Sequence, residues 1–213
     1  MKKRYIERHD SAMRANHWAV AIMFFLAGLS GFALFHPSLF FFTNLFGGPQ
    51  WTRILHPYLG VLMFLLFLFM FFAAVGANAW GEKDSKWLGK ASKLIKGQAD
   101  PAEMPPVGKF NAGQKIIFWL SALCLLVLLL TGVTFWQAWF ASSFSIPLQR
   151  VTLVLHALAA FVFVLTIIVH IYAAIWVKGT FRAMIRGNVS RAWAKRHHPK
   201  WYEEQVDKQT TEA

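Results

Sequence analysis

Four histidines stand where histidine is expensive. His17, His56, His156 and His170 lie inside, or just within, long stretches that contain no Asp, Glu, Lys or Arg. An ionisable ring in an apolar span is kept for chemistry, and imidazole offers metal ligation or proton transfer. A proton relay through a membrane would include Asp or Glu in the same spans, and there is none. One turn along the same face from each histidine stands a small residue: Ala21, Gly60, Ala160 and Ala174. Small neighbours suit a ligand whose partner is a broad flat ring. Two cations, Arg53 and Arg150, lie within two turns of His56 and His156. They could pair with carboxylates of such a ring or act as plain interfacial anchors.

The elements that must position these residues are written in the charge pattern. The chain has 213 residues, 56% of them hydrophobic, yet carries a formal charge of +12. A soluble domain of this size cannot bury so much apolar surface. The two properties coexist because they are segregated: 15–52, 54–81, 116–149 and 151–177 are free of charge. A bilayer core takes roughly 20 apolar helical residues, which predicts four spans near 17–36, 54–76, 116–136 and 151–176. The fold class is all-α, an integral membrane four-helix bundle forming one domain over 1–213, since a span in lipid must satisfy its own backbone hydrogen bonds. The first apolar run is too long for a signal-peptide core and ends in no cleavage site. Cys124 sits mid-span and reads as a buried structural thiol, with no second cysteine to pair with.

Charge also sets the orientation. Residues 1–14 hold five Lys or Arg, the 77–115 loop seven and the tail from Lys178 eight, which leaves only Arg53 and Arg150 of 22 for the other face. The positive-inside rule then places both termini in the cytoplasm. Nucleic acid is not the partner this charge implies, because the cations flank spans and form no stripe on a soluble fold. Anionic lipid headgroups are, and 85–97 reads as a basic amphipathic helix lying on that surface. His9, His197 and His198 fall in charged segments and are expected in solvent; His36, before Pro37, is expected at an interface.

With that topology the four histidines acquire depths. His17 opens the first span on the cytoplasmic side, while His56 and His156 lie near the opposite face. His170 follows His156 by 14 residues, which is roughly 21 Å along a helix and within about 40° of the same face. The levels match as His56 with His156 and His17 with His170. Two stacked imidazole pairs in a helical bundle are what two six-coordinate b-type haems require. Structural zinc, which takes four close ligands, does not suit pairs so far apart.

The chain resembles the cytochrome b (gamma) subunit of respiratory membrane-bound formate dehydrogenase. The resemblance runs from about residue 4 to 202 and rests on RANHW (14–18), GGPQWTRILHP (47–57), VGKFNAGQKIIFW (107–119), LHA (155–157) and VKGTFRAMIRGNVSRAWAKRHHPKWY (177–202). It implies two haems b held by His17, His56, His156 and His170. It implies a bacterial inner-membrane location beneath an iron–sulfur subunit with its own transmembrane anchor. That subunit would connect to a molybdenum- or tungsten-pterin subunit that oxidises formate on the periplasmic side. Electrons would cross to the cytoplasmic haem and reduce a quinone, with Asn111, Gly113 and Gln114 lining the quinone pocket. The residues alone allow a plainer role for these three, in which Asn111 caps a helix and Gln114 sits in its first turn. Cytochrome b subunits of nickel–iron hydrogenase or thiosulfate reductase share the scaffold and are told apart by co-purifying subunits. A haem-free anchor would be told apart by its optical spectrum.

Overall fold

Hydrophobic runs mark what lipid covers, whereas helices begin at caps. The computed structural model describes residues 4–98 and 104–211. It contains all four expected spans, as helices α1 (Ser11–Phe35), α2 (Pro49–Ala74), α4 (Ala112–Thr134) and α5 (Ile146–Trp176). Each is long and apolar enough to cross a membrane. All four begin four to six residues ahead of the apolar runs that announce them. The reason is local. Asp10 Oδ1 accepts the Met13 N–H at 2.8 Å and caps α1, Pro49 opens α2 where a helix needs no N–H, and Asn111 caps α4. The amphipathic helix expected at 85–97 is α3 (Glu82–Ile95).

Two compact units make up the chain. One comprises 15–71 and 120–169 and is a four-helix bundle. Its core draws on every span: Ala27 from α1, Met63 and Phe67 from α2, Cys124 and Leu125 from α4, and Phe163 from α5. Phe24 meets Phe163 edge to face at 5.3 Å between ring centres. Large apolar side chains also point outward, with Phe69, Leu130 and Phe161 all more than half exposed. In water that would be a defect; against acyl chains it is the expected surface.

The other unit comprises 1–14, 72–119 and 170–213, and here the structure adds what the charge pattern concealed. Strand β1 (Tyr5–Glu7) pairs antiparallel with β2 (Asn188–Ser190), a two-stranded addition to an otherwise all-α fold. Helices α6 (Thr180–Arg186), α7 (Arg191–His197) and α8 (Pro199–Thr211) complete the tail. Ile6, Ala183, Val189, Trp193, Ala194 and Trp201 form a small core. Gly187 makes the turn between α6 and β2 at φ 76°, and its carbonyl accepts the N–H groups of Arg8 and His9. A Cβ there would fall 2.7 Å from the His9 carbonyl oxygen, so no other residue fits without moving backbone.

The expectation that His198 is solvent-exposed is overturned. It is 1% exposed, its Nδ1–H donates to the Gly108 carbonyl at 2.8 Å, and its Nε2 lies 3.4 Å from Arg8 Nη2. Burial, and then the nearby Arg8 charge, push its pKa down to about 3, so the ring is neutral at physiological pH. Arg8 is itself buried, donates to the Lys109 carbonyl, and sits within 6 Å of the Phe110, Trp193 and Trp201 rings. Burial lowers its pKa to about 10, which leaves the guanidinium charged and held by the aromatic faces. Charge in the sequence therefore misreports this segment, because a cation counted as surface here sits in a core.

Candidate functional site

The bundle unit brings His56 and His156 together. They stand on α2 and α5 with ring centres 6.3 Å apart and planes at 71°. A metal ion bonded to one nitrogen of each ring through bonds of about 2 Å holds two ring centres roughly 6 Å apart. The observed separation fits a single ion between the rings.

Each ring is also oriented from behind in the same way. Ser30 Oγ, on α1, lies 2.9 Å from His56 Nδ1. Thr131 Oγ1, on α4, lies 3.0 Å from His156 Nδ1. Neither hydroxyl has a proton to spare, because Ser30 donates to the Ala27 carbonyl at 3.0 Å and Thr131 to the Val127 carbonyl at 2.6 Å. With the hydroxyl protons placed on these carbonyls, Nδ1 of each imidazole carries the hydrogen, which leaves both Nε2 lone pairs for a metal. Next to each hydroxyl is a glycine. A Cβ at Gly31 would lie 3.2 Å from His56 Cε1, and one at Gly132 would lie 3.3 Å from His156 Cε1. A methyl at either position would make the ring give by a few tenths of an ångström. Phe135 closes over His156 edge-on at 5.2 Å.

These four residues went unnoticed in the sequence because Ser, Thr and Gly are common in membrane helices. A signal was there: Leu29-Ser30-Gly31 and Leu130-Thr131-Gly132 repeat one leucine–hydroxyl–glycine triplet in the first and third spans.

Gly60, one turn on from His56, borders open space, and a Cβ there would meet nothing within 4 Å. Arg53 and Arg150 are both exposed. Arg53 lines a shallow cleft of ≈ 370 Å³ with His36 and Phe40. Among the described residues neither arginine has a hydrogen bond or ion pair to the two histidines. His17 on α1 and His170 on α5 are each half-buried. Beside His17, Asn16 Nδ2 donates across to the Leu66 carbonyl of α2 at 2.9 Å and pins that end of the bundle. No group of three or more His, Cys, Asp or Glu is gathered as a metal site among the described residues. A haem asks for only two protein ligands.

Asn111 caps α4, and Gly113 and Gln114 lie in its first turn. Asn111 Oδ1 accepts the Gln114 N–H at 2.9 Å and Gln114 Oε1 accepts the Asn111 N–H at 3.0 Å, a reciprocal capping box. The box uses the amide oxygens and leaves both NH₂ groups as donors. Trp87 of α3 lies over Gly113, 3.6 Å from where a Cβ would stand. The next residue, Lys115, donates to the Ala79 carbonyl at 2.9 Å and pairs with Asp84 at 2.8 Å, and both side chains are largely buried. Close by in sequence, burial and then Arg8 lower the pKa of Lys109, with Asp10 opposing them.

Comparison with known proteins gives this arrangement a context. Residues 8–187 match the family model described as prokaryotic cytochrome b561. The chain is 44% identical over 203 residues to the cytochrome b556 subunit of the nitrate-inducible formate dehydrogenase of Escherichia coli (strain K12), covering 95% of this chain and 93% of that one. It is 43% identical over 205 residues to the cytochrome b556(fdo) subunit of a formate dehydrogenase of the same organism, covering 96% and 95%. A formate dehydrogenase cytochrome b556 subunit of Haemophilus influenzae is 38% identical over 201 residues, covering 94% and 84%. The chain is a multi-pass membrane protein of the prokaryotic cytochrome b561 family and belongs with the cytochrome b subunits of formate dehydrogenases.

Proposed function

We propose that this chain carries electrons across the bacterial inner membrane from a periplasmic dehydrogenase to a quinone, through two haems b held between its spans. The observation that carries the reading is the His56–His156 pair, with a spacing suited to one metal ion and two Nε2 atoms left available. Haem b, which these histidines would hold, would supply one-electron redox chemistry. Everything else is the work of the chain: Ser30 and Thr131 orient the rings, Gly31, Gly132 and Gly60 make room, and the bundle excludes water. Arg53 and Arg150 would meet the propionates at the exposed rim. His17 and His170 hold the second haem towards the cytoplasmic face, in keeping with the cation partition.

In this reading the subunit works in a complex, and the whole of 1–213 acts as one electron-conducting module. An iron–sulfur subunit with a transmembrane anchor delivers electrons from a molybdenum- or tungsten-pterin subunit that oxidises formate. Reducing a quinone to the quinol takes two electrons and two protons. Asn111 and Gln114 retain amide donors for a quinone oxygen, Gly113 allows close approach, and the start of α4 favours developing negative charge. Protons then come from cytoplasmic water.

The decisive test is haem quantitation and a reduced-minus-oxidised spectrum on the purified complex, for the wild type and five single variants. His56→Ala and His156→Ala should deplete one α-band component, and His17→Ala and His170→Ala the other. His36→Ala should leave haem content near normal. A wild-type complex without haem would end the proposal, and joint loss from His17→Ala and His56→Ala of a single component would end the pairing.

A further inference from the structure

The repeated triplet deserves a role of its own. Ser30 and Thr131 lie on different helices, face different histidines, and meet them through the same atom, Nδ1, at 2.9 and 3.0 Å. Both are buried, Ser30 completely. Both pass their single proton to a carbonyl of their own helix. Each therefore ends a short directed chain, from imidazole N–H to hydroxyl to backbone carbonyl. The chain is electrically neutral throughout and has no carboxylate. The flanking glycines keep it short, since a side chain at Gly31 or Gly132 would push the ring away from the hydroxyl.

We infer that Ser30 and Thr131 are paired positioning residues that set the electron affinity of the haem between His56 and His156, acting on its two ligands from opposite sides. The inference rests on the haem reading above. Partners behind a metal-bound histidine fix its tautomer and raise its basicity. A more basic ligand favours the ferric ion. A carboxylate behind the ring would push far in that direction, because it draws the N–H proton strongly. A neutral hydroxyl, even one polarised by donating to a carbonyl, pulls more gently than a carboxylate and acts on both ligands alike. The haem that takes electrons first is thus kept readily reducible while both rings stay locked in register.

Redox titration of the purified complex, followed at each α-band component, tests this with no need for turnover. Ser30→Ala and Thr131→Val each remove one acceptor. Each should raise the ferrous-to-ferric ratio of the His56/His156 component at fixed ambient potential. The expected rise is roughly fivefold per variant, the weight of one ordinary hydrogen bond. The other component should stay unchanged. Thr131→Ser keeps the hydroxyl and should titrate like the wild type. Unchanged titration in Ser30→Ala and Thr131→Val, with both haems present, would refute the inference and leave the haem assignment standing. Equal shifts in both components, shifts in different components, or loss of both haems from both variants would refute it as well. If Ser30→Ala alone fails to assemble, the Thr131→Val and Thr131→Ser pair decides. A wild type without haem instead removes the reading underneath.

Discussion

At the scale of single residues, the candidate site is a matter of what stands behind each histidine ring. The histidines were legible in the sequence because a titratable ring in an apolar run is conspicuous. Their supports were not, since Ser30, Gly31, Thr131 and Gly132 matter only through which face of a neighbouring helix they present. The glycines are the sharper test of this geometry. Gly31→Ala places a methyl 3.2 Å from His56 Cε1, tight enough to tilt the ring without emptying the site. The expected result is a displaced α-band for the His56/His156 component with haem content retained. Gly132→Val should lose that same component from the opposite ligand. Low-temperature difference spectra would show either effect, and a normal band in both variants would contradict the close approach.

At the scale of elements, charge-free runs located the four spans and cap chemistry moved their ends. Asp10, Pro49 and Asn111 were all visible, but a hydropathy argument gives them no weight. Asn111 caps a helix with one atom and, in the proposed reading, keeps another for a ligand. Its Oδ1 caps α4 while its NH₂ remains available, so the two roles separate by substitution. Asn111→Ser keeps a good cap and should hold thermal stability within about 0.5 kcal/mol. It removes the amide donor and should raise the KM for a quinone analogue roughly fivefold, one hydrogen bond's worth. Gly113→Val brings bulk against Asn111 Oδ1 and Trp87. Formate should still reduce both haems in that variant while added quinone no longer reoxidises them. Normal quinone kinetics in both variants would move the quinone pocket away from α4.

At the scale of the whole molecule, the partition of cations was the clearest signal, and the tail was the least legible part. Its composition announces a solvated basic segment, yet Arg8, His198 and two tryptophans make a core there. Aromatic residues interleaved with charges hide a core, since neither helical nor strand periodicity survives. Orientation can be checked directly: a reporter fused after the last residue should behave as cytoplasmic, and one in the 137–149 loop as periplasmic. The reverse labelling would invert the proposed direction of electron flow. Acid should loosen the tail. His198 titrates at about 3 when buried against an ordinary 6.5, so below 6.5 the undocked tail binds a proton that the docked tail refuses. Stability then falls as pH falls through that window, by about 2 kcal/mol at pH 5. Arg8 and His197 both disfavour the charged ring, so neither offsets the loss. Protection factors of the amides across 178–207 in the complex, which discount the slower intrinsic exchange in acid, should fall from pH 8 to pH 5. His198→Asn, which keeps a donor towards Gly108 and cannot titrate, should flatten that response.

The pairing of β1 with β2 joins residues 5–7 to residues 188–190, with every span between them. The first strand is made long before its partner and must wait through the insertion of four helices. The partners can meet only if an even number of crossings returns the chain to the side from which it started. A chain that skipped or gained a span would leave Tyr5–Glu7 and Asn188–Ser190 on opposite sides of the lipid, with Arg8 denied its aromatic shelter. The small sheet thus works as a parity check on membrane topology, closing only on chains whose two ends finish on the same side.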